Sequence, residues 1–563
     1  MNTFNRIFLL VAVALLSFTA NAQQPVANSK FVVFFTDKNN SPFTVSNPAQ
    51  YLSQRAIDRR NRYGITIDEK DLPVNQTYVD GVRNSGVFIL NKSKWLNCVT
   101  VWAPDTTALA AIRLLPYVQN LKPISKVKPN EDPLANVAKV HTPKERTTNT
   151  QKSGNMILDY GRGFNQIDLS KGQSLHQNGY KGEGMVIAVM DAGFSQVNQL
   201  DVFDSLWVTN RILGTKDYVN PGNQDVFQFN SHGTYVLSTM GGNQPGVLVG
   251  TAPRASYWLI RTEEGVSENI IEEYNWASGA EFADSVGADI INSSLGYTQF
   301  DDSTQNHTYA DLDGKTAPSS RAATIAASRG VLVVNSAGNS GTGSWFYLGA
   351  PADADSILTI GAIDSLGNYV NFSSKGPSAD KRIKPNVAAQ GSNAWVVNFG
   401  GGASKASGTS FSSPIMAGMV ACFWQANPVY NNMQIIDAVQ KSASQYNNPD
   451  SLIGYGIPDF SKAGQFLTST TFAGQTKKEL VNIFPNPFQS TFNIVYQSVK
   501  SKQIEILVTD ISGRKVLTEI FNVTPGEVNT IILTGMENQP AGQYIVSVKG
   551  AGKQRFSKTL IKQ

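Results

Sequence analysis

A serine stands between a glycine turn and a long apolar run in residues 408–418, which read Gly-Thr-Ser-Phe-Ser-Ser-Pro-Ile-Met-Ala-Gly. The run predicts a buried helix that begins next to Ser410. The first N–H groups of a helix have no partner inside it, so they can face a negatively charged oxygen. A hydroxyl at that place becomes a nucleophile when a base takes its proton. The alternative is that Ser410 only caps the helix.

An acid and a histidine that could serve this serine precede it in the chain. Residues 185–190 form an unbroken apolar run, which is typical of a parallel strand covered on both faces, and the run ends at Asp191. In α/β proteins, ligand-binding and catalytic sites lie at the carboxyl ends of such strands. His232 is followed by Gly233 at the predicted start of a helix. The chain therefore offers an acid, a base and a nucleophile in the order Asp, His, Ser.

The histidine count narrows the choice of base. The chain has four histidines, and only His232 combines a following Gly-Thr with a strand-end acid upstream. The other three, His141, His176 and His307, lie in polar, loop-like segments and are interpreted as solvated side chains.

These segments resemble the motifs of the subtilisin-like serine peptidases, which share this order of acid, base and nucleophile. The resemblance implies that Ser410 attacks the peptide carbonyl, that His232 takes its proton and that Asp191 orients the imidazole. It also implies an α/β fold with a parallel sheet that carries helices on both faces. One departure is Ala192, since family members usually have Ser or Thr after the acid.

Two further segments extend the resemblance. Asn339, in an Ala-Gly-Asn segment after an apolar strand, matches the asparagine whose side chain donates to the oxyanion. A turn asparagine is the alternative, because Asn is common beside Gly in turns. Ser294, Leu295 and Gly296 resemble the strand whose main chain pairs with the peptide substrate.

The ends of the chain predict targeting and processing segments. Arg6, an apolar run and an Ala-Asn-Ala sequence predict a signal peptide at residues 1–22. Residues 23–128 resemble the inhibitor-like propeptides of subtilases, with a βαββαβ order that includes a helix at 49–63; an ordinary accessory domain is the alternative. Residues 129–155 are polar and predict an exposed linker, the natural place for maturation cleavage.

A change of pattern follows the predicted peptidase domain at 156–466. Residues 467–479 predict a second linker, and residues 480–563 carry short strands at a spacing typical of a β-sandwich. Their Pro-Asn-Pro-Phe start, Asp-x-x-Gly-Arg turn and basic end resemble the C-terminal sorting domain of the type IX secretion system. A carbohydrate-binding or adhesion sandwich is the alternative.

The hydrophobic content of 41% suits a globular protein. The chain has 563 residues, a formal charge of +4 and 16% charged residues, without a basic stretch interleaved with aromatics, so nucleic acid is not expected as a partner. We expect a monomeric, secreted or surface-located serine endopeptidase that acts on proteins and meets the outer-membrane secretion machinery. The chemistry needs no cofactor; calcium binding stays open, with no acidic loop assigned to it. The alternative function is a catalytically silent binding or adhesion protein.

Overall fold

The computed structural model describes residues 29–126, 158–223 and 225–467. In the C-terminal part it describes residues 480–484, 488, 490–497, 501–525, 528–550 and 555–562. The predicted signal peptide and the predicted linker at 129–155 lie outside these residues. So do His141 and all of the second predicted linker except Leu467.

The N-terminal unit is a four-stranded antiparallel sheet in the order β2-β3-β1-β4 with three α-helices. The strands are β1 Ser29–Phe35, β2 Phe88–Ser93, β3 Cys98–Ala103 and β4 Val118–Lys126. The helices are α1 Gln54–Tyr63, α2 Gln76–Asn84 and α3 Thr107–Arg113.

The helix expected at 49–63 is shorter than expected and lies outside the apolar core of this unit. It begins at Gln54 after Ser53, whose side chain accepts from the Ala56 N–H, and it ends at Gly64 in the left-handed conformation. The apolar core of this unit takes Val79 and Val82 from α2, a helix that the sequence analysis did not predict. Helix α1 instead packs on a helix of the central unit, because its buried side chains include arginines rather than a stripe of aliphatic residues.

The central unit is built on a seven-stranded sheet in the order β13-β12-β11-β10-β5-β9-β6, and all its strand pairs are parallel. The strands of this unit are β5 Val186–Asp191, β6 Ile212–Asp217, β7 Asn243–Gln244, β8 Leu248–Val249, β9 Ser256–Arg261, β10 Ile290–Ser293, β11 Leu332–Ser336, β12 Leu358–Ile363, β13 Val387–Gln390, β14 Ala394–Val397 and β15 Ala403–Ala406. Its helices are α4 Phe164–Asp168, α5 Gln173–Gln177, α6 Asp204–Val208, α7 His232–Gly241, α8 Ile271–Val286, α9 Pro318–Ser328, α10 Thr409–Ala426 and α11 Asn432–Lys441.

Side chains of the central strands alternate between two apolar layers. On β5, Ile187 and Val189 pack with α7 and α10 on one face of the sheet, while Ala188 and Met190 pack with α8 and α9 on the other. The predicted parallel sheet with helices on both faces is therefore confirmed. It carries α7 and α10, which begin with His232 and with Thr409-Ser410, on the same face.

Two histidines that were interpreted as solvated are buried, so that interpretation is wrong. His176 accepts from the Tyr160 hydroxyl at Nδ1 and donates from Nε2 to the Thr251 carbonyl, both at 2.9 Å. Burial lowers the pKa of His176 to about 4, so the ring is neutral at pH 7. His307 contacts the buried Glu273 carboxylate at 2.6 Å. Thr251 and Glu273 lie 75 and 34 residues away from the rings that they contact, which the polar neighbours in sequence did not reveal.

The C-terminal unit consists of two antiparallel sheets, β16-β17-β20 and β19-β18-β21-β22, that share one apolar core. The predicted β-sandwich is thus confirmed. The strands are β16 Leu480–Phe484, β17 Phe492–Gln497, β18 Gln503–Asp510, β19 Lys515–Asn522, β20 Val528–Leu533, β21 Gly542–Lys549 and β22 Arg555–Lys562. No helix in the described part of the chain is both long and apolar enough to cross a membrane.

The N-terminal unit contacts the central unit through the hairpin of β2 and β3. The buried Glu281 carboxylate of α8 accepts from the Ser93 hydroxyl at 2.5 Å and from the backbone N–H groups of Lys94 at 2.7 Å and Trp95 at 3.0 Å. One carboxylate therefore fixes the tip of the hairpin on the central unit.

Candidate active site

The predicted acid and base meet at the carboxyl end of β5. Asp191 is the last residue of that strand and is fully buried, while His232 opens α7 with its side chain 31% exposed. His232 Nδ1 lies 2.9 Å from one carboxylate oxygen of Asp191 and 3.0 Å from the other. A carboxylate can only accept, so Nδ1 carries the proton and Nε2 keeps its lone pair in the neutral ring. Nε2 has no hydrogen-bond partner among the described residues.

Gly233, which follows the histidine, has no room for a side chain. A Cβ on Gly233 would lie 2.5 Å from the Gly193 carbonyl oxygen and 2.9 Å from the Asp191 Cβ. Gly233 also donates its N–H to that carbonyl at 3.0 Å. The start of α7 can therefore approach the end of β5 closely, and this brings the imidazole to the carboxylate.

Ser410 lies at the second residue of α10, on the same face of the sheet. Its hydroxyl donates to the Ser294 carbonyl at 3.4 Å, a long hydrogen bond, and is without another partner in the described part of the chain. The next residue, Phe411, has its ring 6.1 Å from the His232 ring. The structure thus brings the serine to the histidine's side without a direct hydrogen bond between them. Such bonds are often long or unformed before substrate binds.

Asn339 lies beside the start of α10 and is held there by Thr409. Its side-chain oxygen accepts from the Thr409 N–H at 2.8 Å and from the Thr409 hydroxyl at 3.0 Å. The hydroxyl of Thr409 in turn accepts from the Gly338 N–H at 3.1 Å. Because an N–H can only donate, the atom of Asn339 that it meets is the oxygen. The Asn339 NH2 group, without a partner among the described residues, is left as a donor next to Ser410.

Thr409 is the residue of this site that sequence reasoning missed. It is fully buried and joins the loop of Asn339 to the helix of Ser410. Its place directly before Ser410 was the available signal, but the motif alone did not show that its hydroxyl bonds to a loop 70 residues away.

The predicted substrate strand continues β10 toward the same edge of the sheet. Ser294 and Ser410 are tied together, because the Ser294 hydroxyl donates to the Ser410 carbonyl at 2.9 Å. The Leu295 carbonyl accepts from the Asn335 side chain at 3.1 Å. Gly296 is exposed, and its N–H and carbonyl groups have no hydrogen-bond partner within the described ranges. Main-chain groups of this kind can pair with an extended peptide.

The electrostatics of the site favour a charged imidazole. Burial lowers the pKa of His232, but the negative charge of Asp191 and the hydrogen bond to it raise this pKa by more, so that it lies above its ordinary value of 6.5. The ring can therefore hold a proton that it takes from a neighbouring hydroxyl.

Ala192 changes how the acid is held. The Asp191 carboxylate accepts from the Ala192 backbone N–H at 2.8 Å, in addition to its contacts with His232. Residue 192 carries no hydroxyl. Among the described residues, the donors to this buried carboxylate are therefore the Ala192 N–H and the His232 imidazole.

Comparison with known proteins gives three matches along the chain. Residues 182–456 match the Subtilase family, residues 30–139 match the Peptidase S8 propeptide domain of Bacteroidota, and residues 482–563 match the secretion system C-terminal sorting domain.

Curated relatives cover the central unit. The chain is 31% identical over 293 residues to M-protease of Shouchella clausii (strain KSM-K16), which is 52% of this chain and 67% of that protein. It is 30% identical over 307 residues to Subtilisin E of Bacillus subtilis (strain 168), 54% of this chain and 71% of that protein. It is 30% identical over 293 residues to Subtilisin Savinase of Lederbergia lenta, 52% of this chain and 94% of that protein.

The chain belongs to the subtilase family. It is a serine peptidase with a subtilase propeptide domain and a C-terminal sorting domain, as the sequence motifs predicted. The subtilase sheet explains why the site residues meet, since Asp191, Ser294 and Asn339 all follow or end parallel strands at one edge.

We predict that the His232 ring of this subtilase titrates above pH 6.5 and that Asp191→Asn lowers its pKa, because the mutation removes the charge that stabilises the imidazolium. The measurement is an NMR titration of the Ser410→Ala chain labelled with ¹⁵N-histidine, in which only four imidazoles contribute. Ala192→Ser, which leaves the charge in place, is the control. An unchanged His232 pKa in Asp191→Asn would show that this carboxylate does not set the charge of the ring.

Proposed function

We propose that this subtilase is a secreted endopeptidase that hydrolyses peptide bonds in proteins through Asp191, His232 and Ser410. The observation that carries the proposal is the Nδ1 hydrogen bond of His232 to the buried Asp191, which leaves Nε2 as a base on the side of the sheet where α10 begins. The serine at that helix start is the nucleophile.

The reaction begins when an extended peptide pairs with the main chain at Ser294–Gly296. The Ser410 hydroxyl leaves the Ser294 carbonyl, gives its proton to His232 Nε2, and its oxygen bonds to the peptide carbonyl carbon. Asp191 stabilises the imidazolium that forms. Recognition by main-chain hydrogen bonds does not need a chain terminus, which is why we propose cleavage within chains.

The tetrahedral oxyanion is stabilised by two donors. One is the Asn339 NH2 group, which Thr409 orients by holding the other end of the amide. The other is the Ser410 backbone N–H in the first turn of α10. His232 then protonates the leaving amine, and a water repeats the cycle on the acyl-enzyme, with the carboxylate product leaving at the end.

Ser410→Ala should abolish peptide hydrolysis and leave self-processing of the precursor undone, because the nucleophile is missing. The expected loss in turnover is on the order of a millionfold, as for the serine of subtilisin. The measurement combines hydrolysis of a casein substrate with labelling by a fluorophosphonate probe, and Ser412→Ala is the matched control on the same helix. Turnover like that of the unmutated chain would contradict the assignment. An unlabelled, inactive unmutated enzyme would favour the silent binding protein.

Asn339→Asp should lower turnover roughly a hundredfold to a thousandfold with little change in substrate binding. The aspartate keeps an oxygen for Thr409 but replaces the NH2 group by an acceptor, so it loses the donor that meets charge in the transition state. The measurement separates kcat from KM on a peptide substrate. If KM rose and kcat stayed constant, Asn339 would be a turn residue that shapes the cleft.

Export is the second part of the proposal. The sorting domain at 482–563 and the predicted signal peptide support passage across both membranes, with the outer-membrane secretion machinery as partner. The type IX system is the route that this domain indicates, and the mature enzyme is proposed to act outside the cell.

A chain that ends at Lys478 should stay in the cell envelope of the native host, because it lacks the sorting domain. The same chain should still cleave peptides after refolding, since the core of the C-terminal unit is separate from the two cores of the central unit. Immunoblots of medium and envelope fractions, with the full chain as control, provide the measurement. Normal levels of the shortened protein in the medium would favour the adhesion role for the sandwich.

A further inference from the structure

The guanidinium group of Arg59, on propeptide helix α1, lies between the C-terminal ends of two helices of the peptidase domain. Its Nη2 donates to the Asp284 carboxylate at 2.5 Å and to the Asp284 carbonyl at 3.2 Å. Its Nε donates to the Arg329 carbonyl at 3.1 Å, and its Nη1 donates to the Ala288 carbonyl. Asp284 belongs to the last turn of α8, and Arg329 directly follows the last residue of α9. All three nitrogens of a side chain that is 4% exposed thus have acceptors.

The two helix ends form a site that suits this group. The last carbonyls of a helix have no partner inside it, and the helix dipole places partial negative charge there. Both ends turn at glycines in the left-handed conformation, Gly287 and Gly330. A Cβ on Gly287 would lie 2.7 Å from the Arg55 side chain, so its absence lets α1 approach. The planar guanidinium group of arginine carries a fork of N–H donors. It therefore matches a carboxylate flanked by carbonyls better than the ammonium group of lysine does.

A second arginine shares the same carboxylate. Arg60, which is fully buried, donates to both oxygens of Asp284, at 3.1 Å and 2.9 Å, and to Asp71 of the propeptide at 2.7 Å. Arg59 and Arg60 therefore neutralise a carboxylate that is 0% exposed. Truncation of one partner of such a buried pair leaves the other charge buried and unpaired, and this raises the dissociation rate.

The rest of α1 adds contacts around these two arginines. Arg55 donates to the Gly287 carbonyl at 2.8 Å and forms an ion pair with Asp289. At the other end of the helix, the Tyr63 ring stacks on Trp424 with 6.2 Å between centroids. The helix is thus attached to the peptidase domain along its length.

This attachment is remote from the active site. Asp289 directly precedes β10, and its carboxylate accepts from Val186, the first residue of β5. The site of Arg59 therefore lies near the amino ends of the central strands, whereas Asp191 and Ser294 lie at their carboxyl ends. A six-residue strand such as β5 is about 20 Å long.

We propose that the end of α8, residues 284–289, together with the Arg329 carbonyl forms a guanidinium-binding site whose ligand is propeptide helix α1, and that this site keeps the propeptide bound after the chain is cut between the two domains. The proposal deepens the proposed function, because it concerns how the activity of this peptidase is held back. It depends on the propeptide assignment and not on the triad. Its test therefore uses a chain that cannot cleave.

The experiment uses the full chain with Ser410→Ala and a recognition sequence for a foreign site-specific protease inserted within residues 129–155. After cleavage, size-exclusion chromatography should show the propeptide and the peptidase domain as one particle. Release of the propeptide from the immobilised peptidase domain then gives the dissociation rate. Arg59→Gln should raise this rate about 30-fold or more. Arg62→Gln, an exposed arginine on the same helix, should leave it unchanged.

A measurement without substitution in α1 covers the case in which Arg59→Gln fails to fold. Arginine hydrochloride should displace more propeptide from the cleaved chain than lysine hydrochloride at equal ionic strength, because only arginine carries the fork of donors. The proposal is overturned if the cleaved domains separate at once, if the Arg59 and Arg62 variants release the propeptide at the same rate, or if the two amino acids displace it equally. An active triad combined with any of these results would leave the proposed peptidase standing.

Discussion

The active site depends on the burial of Asp191 at the end of β5. This carboxylate is 0% exposed, and the described donors to it are one backbone N–H and the imidazole of His232. A buried negative charge with so few donors interacts strongly with the ring, which fixes the tautomer and leaves the lone pair on Nε2, as the proposed base requires. The sheet supplies the position, because a parallel strand covered on both faces ends where neighbouring strands also end. Without that burial, the histidine would be an exposed side chain at a helix start.

The second constraint is that one set of hydrogen bonds holds both Ser410, the proposed nucleophile, and Asn339, the proposed oxyanion donor. Thr409 binds the oxygen of Asn339 with two groups and accepts from Gly338 with its hydroxyl, while the neighbouring Ser410 carbonyl accepts from Ser294. The start of α10 is therefore tied to the ends of both β10 and β11. A donor that is held in place before charge develops does not need to reorganise during the reaction.

Residues with a role in local motifs were predictable from the sequence, whereas residues with a role in long-range packing were not. Asp191, His232 and Ser410 each stand in a short pattern that combines a strand end or helix start with the right chemistry, and the structure brings them to one edge. The burial of His176 depends on Thr251, 75 residues away. The role of α1 depends on helix ends more than 220 residues away. Such contacts leave no periodicity in the local sequence.

The propeptide is attached by two chemically different contacts, and this affects how it can be removed. Glu281 holds the hairpin through backbone N–H groups, and Asp284 holds α1 through guanidinium groups. Burial raises the pKa of Asp284, but the charges of Arg59 and Arg60 outweigh it and lower this pKa to about 2, against an ordinary value of 3.8. The stabilisation from a carboxylate with a lowered pKa is complete above the ordinary value and is lost as the pH falls through about 2. Mild acid therefore leaves this contact intact. Burial raises the pKa of the Glu281 carboxyl, so the hairpin contact and the α1 contact depend on pH in opposite directions.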